Sequence, residues 1–278
     1  MNSKFGVGFI TCNRESFIHR SMDSFSNSIF EHDSKASNVV VVNDGDPLDK
    51  TIAYGDLIDN PNNLGVGKSK NIAIKELMAR GYDHIFIIED DIIQKDKSVN
   101  VFEKYMDCSD QTGIQHFMFG YHGPANKGNV SKGIPQPRLV VKYNENCSVL
   151  LNLHCVGAFC HYTRECIEAI GMFDEEYNNA FEHVDHSYRA AKHGMIPGYW
   201  WWPDISNSYD YLDEIECSEN SSSIRPRADW GENIQKGAVH FHRMHGYQPA
   251  WDNYVPDQSE YKIKNALKAI FSNYTVEK

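Results

Sequence analysis

Three short apolar runs punctuate the first third of the chain, at residues 5–10, 39–42 and 85–88. Each is rich in β-branched or aromatic residues and is closed by polar turn residues, which predicts buried strands. Between the first two, Phe17, Ile18, Met22, Phe25 and Ile29 recur at near-helical spacing and predict a helix with one buried face. A second helix follows Gly67 and runs to about Arg80, with Ile72, Leu77 and Met78 inward and Gly81 as its stop. Strands alternating with helices predict an α/β fold with a mostly parallel, Rossmann-like sheet. Ligands bind such sheets at the carboxyl ends of the strands.

The pattern then becomes less regular. A short helix is expected over about 97–107, a strand over 116–119, and a mobile loop rich in Gly, Asn and Pro over 120–136. Residues 138–143 and 147–151 read as a hairpin turned by Asn144, Glu145 and Asn146. A buried strand over 156–162 leads to a short helix capped by Thr163 and stopped by Gly171. Another helix opens at Glu182 and ends at Gly194. Residues 199–202 look strand-like, and so do 239–242. Residues 204–232 hold eight acids and two arginines around a Ser-rich centre at 220–223, which suggests a lid or insertion. A terminal helix is expected from Ser259, with Tyr261, Ile263, Leu267, Ile270 and Phe271 packing across the domain.

Charge narrows the partners. The formal net charge of −11 disfavours a general polyanion binder. Lys127, Lys132, Arg138 and Lys142 still permit a local basic patch. Seven scattered cysteines without a C-x-x-C spacing suggest reduced thiols and a cytoplasmic setting. The absence of a long apolar stretch predicts no stable membrane insertion.

The chemistry concentrates at strand ends. Glu89, Asp90 and Asp91 follow the third apolar run directly. Three adjacent carboxylates repel one another, and a divalent cation holding a diphosphate would compensate them, unless the turn is simply solvated. Asp44 closes the second run in the same way. Residues 62–69, Asn-Asn-Leu-Gly-Val-Gly-Lys-Ser, come within one residue of a P-loop and open the alternative of an NTPase. Asn62 replaces its first glycine, however, and the preceding strand signal is weak. The same stretch also reads as a plain helix-capping turn or an anion site near Lys68 or Lys70. Glu182 and Asp185 share a helix face and offer a general base, or simply match the helix dipole. In a strand, His240 and His242 would point to one side, as metal ligands or as ordinary surface residues. Within Trp200-Trp201-Trp202, one indole is placed to line a sugar platform, although core packing explains such a run as well.

In their order, these motifs resemble the family 2-type glycosyltransferases with the GT-A fold. Thr11-Cys12-Asn13-Arg14 resembles the turn after the family's first strand. Val42-Asn43-Asp44-Gly45 resembles the V-D-D-G segment whose aspartate meets the nucleotide base. Asn63-Leu64-Gly65 through Lys70-Asn71 resembles the stretch beside the diphosphate, with Lys70 in place of arginine. Glu89-Asp90-Asp91 resembles the E-D-D form of the D-x-D motif. Residues 170–175, then Glu182-His183-Val184-Asp185 and Arg189, resemble the segment that supplies the catalytic base, with His183 where an acid is usual.

The resemblance implies a single GT-A-like domain over 1–203, with a donor half at about 1–95 and an antiparallel acceptor half at about 96–203. Residues 204–238 would be an acidic insertion or lid, and 239–278 a C-terminal segment. It implies a metal-dependent, inverting transfer of a sugar from a nucleotide-diphosphate sugar, most readily a UDP-sugar. The acceptor would be a glycan, a small molecule or, in a viral setting, a hydroxylated DNA base. Thr11, Asn13, Arg14 and Asp44 would hold the base, Lys70 would lie near the diphosphate, and Asp90 would support the ribose. Asp91, with His240 or His242, would hold Mn2+ or Mg2+. The base would be Asp185, Glu182 or His183. With His183 out of pattern, a decayed site that binds nucleotide sugars without turnover is the further alternative.

Overall fold

The computed structural model describes residues 4–128, 130, 133–198, 201–215, 228–246 and 275–277. In chain order the first half contains β1 (Phe5–Thr11), α1 (Glu15–His32), β2 (Val39–Asn43), β3 (Asp56–Asp59), α2 (Val66–Ala79), β4 (His84–Glu89), β5 (Ile92–Gln94), α3 (Val101–Thr112) and β6 (His116–Met118). The second half contains β7 (Leu139–Asn144), β8 (Cys147–Asn152), β9 (Phe159–Thr163), α4 (Arg164–Ile170), α5 (Glu182–Lys192), β10 (Trp202–Ile205), α6 (Ser208–Tyr211), β11 (Leu212–Glu214), α7 (Trp230–His245) and β12 (Thr275–Glu277).

The main sheet has the order β3-β2-β1-β4-β9-β6. Its first four strands are parallel, and β9 runs antiparallel between β4 and β6. Every residue of β1 and β2 is buried, as expected for parallel strands covered on both faces. Ile18, Met22, Phe25 and Ile29 of α1 are fully buried against the sheet. Each such burial contributes roughly 1.5–3 kcal/mol. On the sheet's other flank α2 lies very close to β1. A Cβ at Gly8 would sit 2.7 Å from the Ala73 Cβ, so only glycine admits this approach. In-register pairing places Thr11 beside Asn43 and Ile10 beside Glu89. The ends of three strands therefore form one edge.

A second, antiparallel sheet of order β10-β8-β7-β12 and a small β11–β5 pair complete the α/β architecture. The expected hairpin is β7–β8.

Several expectations change. The helix expected over 97–107 spans Val101–Thr112, because Asn100 Oδ1 accepts from the Glu103 N–H at 3.3 Å and caps it there. The loop expected over 120–136 contains two 3-10 turns, Gly120–His122 and Pro124–Lys127. Asn126 fixes them by donating to the carbonyls of Gly120 and His154. The start of the supposed lid is built into the fold: β10 pairs with β8 and β11 with β5. Asp204, the first residue of that segment, is 1% exposed and binds Tyr105 Oη, Ser208 Oγ and the Gly120 N–H. Its Ser-rich centre lies outside the described residues, as does the expected terminal helix from Ser259. Residues 239–242 belong to a helix, α7, rather than a strand. The His-Phe-His alternation concealed a longer helical stripe of Asn233, Gly237, His240 and Phe241. Among the described residues no helix is long and apolar enough to cross a membrane.

Candidate functional site

The three strand ends open onto a cleft lined by Thr11, Cys12, Arg14, Asp44, Asn63, Asp90 and their neighbours. Asp44 organises its far wall. Its carboxylate accepts from the Leu64 N–H at 2.7 Å, the Gly65 N–H at 2.8 Å and the Asn60 side-chain amide at 2.7 Å. The next amide, Val66 N–H, goes to Asn179 Oδ1 at 3.1 Å. Three successive amides of the P-loop-like stretch are thus engaged within the protein rather than left for a phosphate. The strand before them, β3, is a largely exposed edge strand. This geometry removes the basis for the NTPase reading.

The three acids at the end of β4 diverge. Asp90 is fully buried; Thr11 Oγ1 donates to its Oδ2 at 2.6 Å and Arg14 pairs with its Oδ1. Burial pushes this carboxyl up to about 7, with Arg14 pulling it down and Asp91 pushing it further up. Both Asp90 oxygens are already engaged by protein donors, which departs from the ribose contact expected of it. Asp91 is 8% exposed, with Oδ2 at 3.5 Å from Arg14. Glu89 turns the other way, to Lys70 Nζ at 2.7 Å.

Lys70 was expected beside a diphosphate, but it has no solvent exposure. Its Nζ also donates to the Gly157 carbonyl at 3.0 Å and lies 3.7 Å from Glu182 Oε1. Burial opposes its charge, yet Glu89 and Glu182 outweigh burial and raise its pKa. Lys70 therefore ties the end of β4 to the start of α5. Burial would raise Glu182, but His183 and then Lys70 bring it down to about 2. His183 Nδ1 lies 3.0 Å from Glu182 Oε1, and the imidazole is 26% exposed. A Cβ at Gly157 would lie 2.8 Å from the His183 Cβ, so this glycine makes room for the ring. Asp185 is enclosed instead: Arg189 Nε at 2.9 Å and His245 Nε2 at 2.6 Å occupy its carboxylate, with Tyr177 Oη at 3.5 Å.

Other residues enter that the sequence did not single out. Glu214 sits beside the acidic edge because β11 pairs with β5 and the Ile215 N–H donates to the Asp91 carbonyl at 2.6 Å. Glu214 binds Lys127 Nζ at 2.8 Å and His122 Nδ1 at 3.0 Å. Burial works against a charged His122, but Glu214, Asp91 and Glu89 outweigh it and raise its pKa. Burial lowers His154 to about 4, helped by His183 and His122. A loop rich in Gly and Asn offers no periodic signal for His122, and Glu214 was hidden in a run of acids. The proposed basic patch loses two members. Lys127 is 1% exposed in its ion pair, and the Arg138 guanidinium lies 4.0 Å over the Trp201 ring. Lys132 lies outside the described residues. Trp201 and Trp202 are both buried, so neither forms an open sugar platform, and Trp200 lies outside the described residues.

Among the described residues, no contact brings His240 or His242 to the acidic edge. His240 Nε2 binds Asp174 Oδ2 at 2.7 Å, and His242 is exposed on α7. Among the described residues no group of three His, Cys, Asp or Glu could hold a metal. The donor set still suits a hard divalent cation. Asp91 offers hard carboxylate oxygens beside Glu89 and Asp90, and such ions commonly take their remaining oxygens from substrate phosphate and water.

No protein-family model matches the chain. It is 28% identical over 202 residues to an uncharacterized glycosyltransferase of Acanthamoeba polyphaga mimivirus, covering 72% of this chain and 73% of that protein. Among solved structures it resembles a mannosyltransferase from Pyrobaculum calidifontis in complex with GDP-Man and Mn2+. The TM-score is 0.53 and the identity 14%, covering 97% of this chain and 69% of that one. It also resembles the S. aureus protein TarS, with a TM-score of 0.50 and 16% identity, over 95% of this chain and 81% of that one. The architecture, a mostly parallel sheet flanked by helices with an antiparallel part beside it, is the GT-A glycosyltransferase fold.

Proposed function

We propose that the protein is a glycosyltransferase that moves a sugar from a nucleotide-diphosphate sugar, UDP-linked by preference, to an acceptor hydroxyl with inversion at the anomeric carbon. The observation that carries this reading is the convergence of the acidic end of β4 and the Glu182–His183 pair, both joined to Lys70, at one edge of a GT-A sheet. The similarity to a viral glycosyltransferase supports the same reaction class.

The nucleoside occupies the cleft between the Thr11–Arg14 turn and Asn63, whose amide donates to the Asp44 carbonyl at 2.9 Å. Asp44 shapes that cleft by holding the 60–65 loop. Asp90 orients Arg14 rather than touching the ribose directly. Asp91 would hold Mn2+ or Mg2+, which when bound neutralises charge on the leaving diphosphate. His183 is the general base. It accepts the acceptor's hydroxyl proton on the ring nitrogen not facing Glu182, and the Glu182 carboxylate stabilises the resulting imidazolium. The acid usual at position 183 is thus replaced by an acid–histidine pair of equivalent chemistry, which gives turnover rather than a decayed binding site. Asp185 and Lys70 hold the framework. The acceptor is a glycan or small molecule, since Lys127 and Arg138 are engaged within the protein rather than presented to a polyanion.

Thermal-shift and donor-hydrolysis measurements against a panel of nucleotide sugars, with and without Mn2+, test this. The expected result is stabilisation by a nucleotide-diphosphate sugar together with Mn2+, release of the nucleoside diphosphate, and loss of both in Asp91→Asn. Hydrolysis of a nucleoside triphosphate abolished by Lys68→Ala, without nucleotide-sugar binding, would overturn it.

A further inference from the structure

Arg14 stands over two of the three acids at once. It pairs with Asp90 Oδ1 through one terminal nitrogen, and the other lies 3.5 Å from Asp91 Oδ2. Its side chain is only 15% exposed. The position is preset by the backbone. Asn13, just before it, adopts the left-handed conformation at φ 55°, and Asn13 Oδ1 accepts from the Asp46 N–H at 2.7 Å, pinning the turn to the end of β2. The Phe17 ring backs the guanidinium at 5.2 Å. The protein's own contacts therefore build the cation into the cleft.

This placement conflicts with a bare metal ion. A divalent cation on Asp91 would sit against a fixed positive charge in a partly buried setting, where repulsion is poorly screened. The described residues also offer no third protein ligand to offset that cost. A diphosphate removes both difficulties. Its oxygens complete the metal's shell, and its charge gives the guanidinium a new partner of the kind its fork suits.

We propose that Arg14 is the resident counter-cation of the Asp90–Asp91 pair: it keeps a bare divalent ion off Asp91 and turns to the diphosphate when metal and nucleotide arrive together. The inference rests on the donor site proposed above and adds a rule to it. Metal binding is conditional on the diphosphate, and Arg14 sets the condition.

The test is calorimetric titration of Mn2+ into the full chain, alone and with saturating UDP, for the wild type, Arg14→Gln, Arg14→Lys and Asp91→Asn. Wild type should bind Mn2+ weakly alone and much more tightly with UDP. Arg14→Gln should bind Mn2+ alone about two- to fivefold tighter, the scale of one charge pair at a partly exposed site. It should also show a smaller gain on adding UDP. Arg14→Lys, which keeps the charge but not the fork, should fall between. Arg14→Gln leaves Asp90 buried without its cation, so the double variant Arg14→Gln, Asp90→Asn is measured beside it, with circular dichroism to establish folding. The same tightening in that variant supports the proposal. Mn2+ binding without UDP that is unchanged or weaker in both folded variants overturns it. A different result marks failure of the underlying donor site: Asp91→Asn that still binds Mn2+ with UDP as wild type does, whatever the Arg14 variants show. The proposal falls with that site.

Discussion

Replacing Lys70 with methionine removes the charge that two carboxylates share while roughly keeping the side chain's volume. In the wild type its Nζ lies 2.7 Å from Glu89 and 3.7 Å from Glu182, with no exposure of its own. Removing one partner from a buried ion pair costs about 3–5 kcal/mol. Here the lower end applies, because the Glu89 side chain is 26% exposed and can turn towards water, whereas Glu182 at 5% cannot. For a protein of this size, about 3 kcal/mol lowers the melting temperature by roughly 6–12 °C. Adding Glu182→Gln to Lys70→Met should recover part of the loss, since a neutral amide no longer strands a charge. The coupling between the two sites should be about 1–3 kcal/mol. The pH dependence has a defined sign. The folded-state value of Glu182 is depressed to about 2 from 4.5, so its ionised form adds stability above about pH 4.5 that is lost as pH falls towards 2. That acid limb should shrink in Lys70→Met. Scanning calorimetry at several pH values measures all three quantities. A loss below about 2 °C, or strictly additive single and double variants, would refute the claim that Lys70 is the tie between β4 and α5.

Further outcomes follow from the same geometry. His183→Asn should lower kcat by about 10²–10⁴-fold with little change in donor KM, while Asp185→Asn should mainly lower the melting temperature; steady-state kinetics beside thermal melts separates the two. Asp204, 1% exposed, has its carboxyl raised to about 7 from 3.8. The unfolded chain ionises first, so this group makes stability fall as pH rises from about 4 to 7, and Asp204→Asn should flatten that slope in denaturant titrations. Glu214→Gln removes the charge that Lys127 and His122 share, and should lower the pKa of His122 as read by NMR titration.

Periodicity along the chain was enough for the alternation of β1, α1, β2, α2 and β4, because each of those elements buries a face and burial leaves a repeating mark. It was also enough for the acidic strand end, since a residue just past a buried strand must lie at the sheet's edge. What it could not supply is which side chain faces which. Glu89, Asp90 and Asp91 look alike in sequence. Only the packing of α1 and α2 sends one to Lys70, holds the next under Thr11 and Arg14, and sets the third 3.5 Å from the other arm of Arg14. On one helix turn, sequence favours Asp185 or Glu182 as the base and leaves His183 as a further possibility. The tertiary structure separates them, because His245 and Arg189 close over Asp185 while Gly157 leaves room for the His183 ring. His240 was misplaced because a strand and a helix both explain a three-residue alternation, and only the longer stripe through Asn233 and Gly237 distinguishes them. His122 and Glu214 left no mark, being far apart in sequence and joined only where β11 pairs with β5. Local apolar spacing is a property of one segment and can be read from it. The partner of a charge is a property of the folded whole, because it depends on which distant segments the sheet brings within a few ångströms.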